Sequence, residues 1–103
     1  MLVLESQIEK AVVEYAKKHG VLSLKLYNAF SSGWPDRLFI TKQGRHFYIE
    51  FKKPGEKPRT LQLHRMEQLR NNNCVCYVCD TYEQGEKAVN ENLEATSLPK
   101  NGN

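Results

Sequence analysis

A chain of 103 residues has room for one modest hydrophobic core, and so for one domain. Its 40% hydrophobic and 26% charged content is that of an ordinary soluble protein, and no apolar run approaches membrane-spanning length. With no secretory h-region the expected location is cytoplasmic. The net charge of +3 says less than its distribution. Residues 37–70 carry nine Lys/Arg against three acids, whereas residues 80–103 carry five acids against two lysines. Phosphate backbone is therefore expected along the positive middle segment.

In chain order, residues 3–19 predict an amphipathic helix, with Leu4, Ile8, Ala11, Val12, Tyr15 and Ala16 at i, i+3, i+4 spacing. Gly20 is placed to terminate it. Residues 21–29 predict a strand through the alternation of Leu22, Leu24 and Leu26. A loop through Ser31-Ser32-Gly33-Trp34-Pro35 leads to a second strand, Asp36 to Thr41, with Pro35 holding Trp34 extended. Gln43-Gly44 marks a hairpin turn into a third strand, Arg45 to Lys52. After the Pro54–Pro58 loop, Thr60 is the expected cap of a helix through about Asn72. Residues 74–79 predict a fourth strand and 81–94 a last helix. Helix crossover into the fourth strand implies that it lies parallel to a neighbour. Residues 1–96 are expected to form the domain, and 97–103 a disordered tail.

The fourth strand holds Cys74, Cys76 and Cys79. Three scattered histidines do not complete a zinc set with them, and an odd count argues against a disulfide framework. Buried strand thiols are the better reading.

The chemistry-bearing residues lie on the second and third strands. Phe47, Ile49 and Phe51 supply one apolar face of the third strand, so Glu50 and Lys52 share the other. A central strand would bury that polar face unless it lined a cleft. Taken singly, Asp36 reads as a turn-capping acid, and Glu50 with Lys52 as an exposed charge pair. Together, in this order, they place two carboxylates and an ammonium at one spot, which suits metal-assisted phosphodiester hydrolysis. Asp36, Glu50 and the Phe51 carbonyl are candidate ligands for Mg²⁺ or Mn²⁺, which prefer oxygen. Lys52 would orient the attacking water or stabilise developing negative charge. Glu5 would hold a metal-bound water, and Gln62 would hydrogen-bond that water or Lys52. Arg37, Lys53, Lys57, Arg59 and Arg65 bunch around this spot as candidate phosphate contacts.

These residues carry a resemblance. Glu5-Ser6-Gln7-Ile8-Glu9, Gly33-Trp34-Pro35-Asp36, Glu50-Phe51-Lys52, and Gln62 with Leu69 resemble the virus-type replication-repair nuclease (VRR-NUC) family of the PD-(D/E)xK superfamily, in the family's order from about residue 4 to 82. The resemblance implies an α/β restriction-endonuclease-like fold, a four-stranded mixed sheet flanked by helices in the order αβββαβα. It implies a metal-dependent DNA endonuclease of phage or bacterial origin, acting on branched DNA such as Holliday junctions and working as a homodimer. It assigns Asp36 and Glu50 as metal ligands, Lys52 as the catalytic lysine, and Glu5 and Gln62 as supporting residues. Glu9, one turn beyond Glu5, is the alternative helix-one acid. A non-catalytic nucleic-acid-binding module on the same fold would keep the basic segment but lose one of Asp36, Glu50 or Lys52.

Overall fold

The computed structural model describes residues 2–27 and 32–94. Its elements are α1 (Glu5–Lys18), β1 (Leu22–Lys25), β2 (Arg37–Ile40), β3 (His46–Phe51), α2 (Thr60–Asn71), β4 (Cys76–Cys79) and α3 (Tyr82–Glu94), in the predicted order. The strands form one sheet in the order β1-β2-β3-β4. β1 pairs with β2 and β2 with β3 antiparallel, while β4, reached through α2, is parallel to β3. β3 is thus bonded on both edges.

Local chemistry explains the element ends. α1 stops in a two-bond C-terminal motif. The Gly20 N–H reaches the Lys17 carbonyl at 3.1 Å and the Val21 N–H reaches Ala16 at 2.9 Å. Gly20 sits at φ +74°, which a glycine adopts without a Cβ penalty. The β2–β3 turn closes through the Gly44 N–H to the Thr41 carbonyl at 2.9 Å, again with glycine at positive φ. Thr60 is not the cap of α2 but its first residue. Arg59 holds the cap position in extended backbone, and its N–H donates to Gln62 Oε1 at 2.9 Å, the return bond of a capping box.

The main core lies between the sheet and the α1–α3 pair. Ile8, Val12 and Ala16 of α1 meet Phe39, Phe47, Ile49, Phe51 and Cys79 of the sheet and Ala88 and Val89 of α3. Phe39 and Phe47 stack across β2 and β3 with ring centroids 5.1 Å apart. α1 and α3 approach closely at Gly85, where a Cβ would overlap the Val12 side chain. The buried Cys76 and Cys79 are free thiols, pushed up by burial to about 11 and about 12.

The opposite sheet face is covered only in part by the described helices. Alternation in β1 marks Leu22 and Leu24 as one apolar side, yet they are 56% and 42% exposed. α2 packs against β4, burying Met66, and among the described residues no helix covers the β1 end of that face. The end of the predicted first strand at 28–29, the residue-96 boundary and the 97–103 tail lie outside the described residues.

Candidate active site

Asp36 is placed by a break in the β2–β3 ladder. Leu26 donates its N–H to the Asp36 carbonyl at 2.9 Å, which fixes the residue against the β1 side. Extending the pairing of Arg37 with Ile49 by two residues sets Phe51 opposite Pro35. Proline has no N–H, so the ladder stops there. The Asp36 side chain takes over: its Oδ2 accepts the Phe51 N–H at 2.7 Å. Alternate residues Tyr48 and Lys52 donate to β4 carbonyls, so the Phe51 carbonyl points towards β2, where Pro35 offers it no donor.

Glu50 and Lys52 leave β3 on the face opposite the phenylalanines, as the alternation requires. Both are nevertheless buried, at 3% and 7% exposure. Gln62 Nε2 donates to Glu50 Oε2 at 2.6 Å, and Lys52 Nζ lies 3.5 Å from the same oxygen. Lys52 also lies 4.0 Å from Glu56, an acid the sequence reading did not single out. Gln62 therefore grips Glu50, with its other end fixed by the Arg59 N–H. Both contacts to Glu50 fall on Oε2 and the contact to Asp36 on Oδ2. Among the described residues, Glu50 Oε1 and Asp36 Oδ1 carry no such contact.

Burial and neighbouring negative charge raise the carboxyls of the site. Burial, then the charge on Asp36, pushes Glu50 up to about 7 against the opposing pull of Lys52, with Glu5 adding to the rise. Burial also raises Asp36, with the charge of Glu9 adding to the rise, against the Phe51 N–H bond and the nearby Lys25 and Lys52. Burial, then the Asp36 charge, raises Glu5, against the opposing pull of Lys52. Glu9 behaves oppositely. Its burial is outweighed by hydrogen bonds from Lys25 at 2.9 Å and Arg37 at 2.6 Å, which hold its carboxyl low. Glu9 is thus held in an ion-pair network with Lys25 and Arg37, and no such pair holds Glu5 among the described residues.

The positive residues divide into two groups. Lys53, Lys57 and Arg59 are exposed on the β3–α2 loop that starts at the site. Arg37 is tied to Glu9 and, through Nη1, to Ser23 Oγ at 3.0 Å. Arg65 is tied to the loop before Asp36, with Nε donating to the Ser32 carbonyl at 3.0 Å and its guanidinium over Trp34. The proximity of Arg37 to Asp36 in sequence gave no sign of this, because Glu9 and Ser23 are remote in the chain.

A divalent ion fits the donor set. Among the described residues no group of three or more His, Cys, Asp or Glu side chains is arranged to hold a metal ion. What the site offers is two carboxylate oxygens and one backbone carbonyl. Magnesium commonly binds through one or two carboxylates while keeping several waters. A carboxylate held on one oxygen by an amide, as Glu50 is by Gln62, is oriented for ligation by the other.

A mixed four-stranded sheet with three helices, bearing an acid after proline and an acid-x-lysine strand end, is the PD-(D/E)xK-like α/β nuclease fold. Comparison with known proteins narrows the class. No family model matches the chain. It is 37% identical over 68 residues to "Putative nuclease p44" of Acyrthosiphon pisum secondary endosymbiont phage 1, covering 66% of this chain and 73% of that protein. It superposes on a solved "VRR_NUC domain" with a TM-score of 0.77 at 29% identity, covering 84% of this chain and 94% of the other. The chain belongs to the VRR-NUC family of nucleases.

Proposed function

We propose that the protein is a Mg²⁺- or Mn²⁺-dependent, structure-specific endodeoxyribonuclease that hydrolyses phosphodiester bonds at branched DNA such as Holliday junctions. The observation that carries this reading is the convergence of Asp36, Glu50 and Lys52 at the end of β3, each acid braced on one oxygen only. When bound, the divalent ion would supply charge neutralisation at the phosphoryl oxygens and a lowered pKa for the attacking water. Asp36 Oδ1, Glu50 Oε1 and the Phe51 carbonyl would hold it. Lys52 stands as a fixed ammonium that orients the water and stabilises negative charge as it develops on phosphate. Its burial strengthens that effect, since little solvent screens it. Gln62 keeps Glu50 in its rotamer, and Glu5 accepts a hydrogen bond from water at the mouth of the site.

Lys53, Lys57 and Arg59 contact the phosphate backbone beside the scissile bond. Recognition rests on DNA shape and backbone, which the exposed cations of the β3–α2 loop can contact without reading bases. A homodimer would present two sites to two opposed strands. The exposed Leu22 and Leu24 at the β1 end of the sheet support a second copy packing there.

The test is incubation of purified protein with four-way, flap and linear duplex DNA, with Mg²⁺, Mn²⁺ or EDTA. Metal-dependent cutting favouring branched DNA is expected. Binding without cutting under every condition would leave only the non-catalytic module.

A further inference from the structure

The Ser32–Pro35 segment that delivers Asp36 has no helix or strand of its own. Its hold comes from α2. Gly33 lies at φ +88°, and a Cβ there would stand 2.6 Å from Leu61 Cγ and 3.2 Å from Arg65 Cγ. Loop and helix are therefore pressed together at a point only glycine fits. Arg65 fastens the segment on both sides of that point. Its Nε donates to the Ser32 carbonyl at 3.0 Å, and its guanidinium carbon lies 4.7 Å from the Trp34 ring centroid. Its Nη1 donates to Gln68 Oε1 at 3.0 Å, which fixes the plane of the fork. Pro35, next in the chain, is fully buried. Three residues before Arg65 on the same helix, Gln62 grips Glu50.

We propose that Arg65 is a positioning residue: it clamps the Ser32–Pro35 segment so that α2 sets Asp36 and Glu50 at a fixed separation. It rests on the nuclease reading above for its catalytic consequence, and on geometry alone for the placement of Asp36. Lysine cannot replace arginine in this role. An ammonium carries the charge but has no planar fork to bond a carbonyl while lying over an indole. A phosphate contact, by contrast, tolerates lysine as a point charge.

The two roles separate in Arg65→Lys and Arg65→Ala. The Phe51 N–H bonds to Asp36 Oδ2, so its amide exchange reports where Asp36 is, without DNA or metal. In Arg65→Lys, Phe51 exchange should rise about tenfold or more, while the Tyr48 and Lys52 amides, bonded to β4, keep wild-type protection. Mn²⁺ affinity by calorimetry should weaken about 10- to 100-fold, as when an outer support of a ligand is lost. With cleavage established for the wild type, kcat should fall while junction affinity and its salt slope hold. Trp34→Ala should repeat the pattern. Unchanged Phe51 exchange in both Arg65 variants would overturn the proposal. So would restoration of activity by lysine with loss confined to DNA affinity in Arg65→Ala. If the wild type neither binds Mn²⁺ nor cuts DNA, the nuclease reading falls, and Phe51 exchange still decides the clamp.

Discussion

Glu50 should make the folded protein less stable at neutral and alkaline pH, and Glu50→Gln should reveal by how much. Its carboxyl rises from 4.5 to about 7 in the fold, mainly through burial and the neighbouring charge of Asp36. Below pH 4.5 the carboxyl is protonated in both folded and unfolded chains and contributes nothing. Between 4.5 and 7 the unfolded chain releases the proton first, so stability falls as pH rises, and above 7 the loss is complete. At about 1.4 kcal/mol for each pH unit, the full effect is roughly 3 kcal/mol. The neutral amide of Glu50→Gln would mimic the protonated acid, and its carbonyl can still accept the Gln62 amide. In EDTA at about pH 8, Glu50→Gln should therefore melt higher than wild type by on the order of 10 °C. The gap should close as pH falls towards 4.5. Mn²⁺ should raise the melting point of wild type at about pH 8 and leave the variant unmoved. Thermal unfolding followed by circular dichroism across this pH range is the assay. A variant less stable than wild type on the alkaline side, or a gap independent of pH, would refute the reasoning. The implied exchange of stability for a charged site is common at active centres.

Lys52→Ala should lower the cleavage rate about 10²- to 10³-fold while junction binding by gel shift survives; equal loss of both would indicate a binding role instead. Gly85→Ala should destabilise by about 1–3 kcal/mol in chemical denaturation, because the new methyl overlaps Val12 at the α1–α3 contact. Lys57→Ala should weaken junction affinity and reduce the slope of log K against log salt by about one contact, with no change in kcat at saturation. Leu24→Asp should shift the molecular mass from light scattering from dimer to monomer; a wild-type monomer would remove the dimer reading.

Strong short-range patterns were legible in the sequence. The Phe47, Ile49, Phe51 alternation placed Glu50 and Lys52 on the opposite face of β3, and the i, i+3, i+4 stripe of α1 buried Ile8, Val12 and Ala16. Long-range geometry was not. Alternation in β1 shows that Leu22 and Leu24 share a side, but not that both stay exposed there among the described residues. Net charge near the site suggested phosphate contacts at Arg37 and Arg65. Whether a guanidinium faces solvent depends on partners such as Glu9 and Ser32, which lie far away in the chain. Gln62 illustrates a third limit. Its spacing put it near the site, but only the packing of α2 against the β4 side of the sheet decides that its amide meets Glu50 rather than a water or Lys52. Nor does sequence reveal that Pro35 ends a ladder which the Asp36 carboxylate then completes.

On the proposed nuclease function, Asp36 and Glu50 share one cation. Crystals grown with Mn²⁺ and measured at an anomalous wavelength test it directly. The expected result is an anomalous peak bounded by Asp36, Glu50 and the Phe51 carbonyl, lost in Asp36→Ala. A peak elsewhere, or none there at millimolar Mn²⁺, would contradict the account.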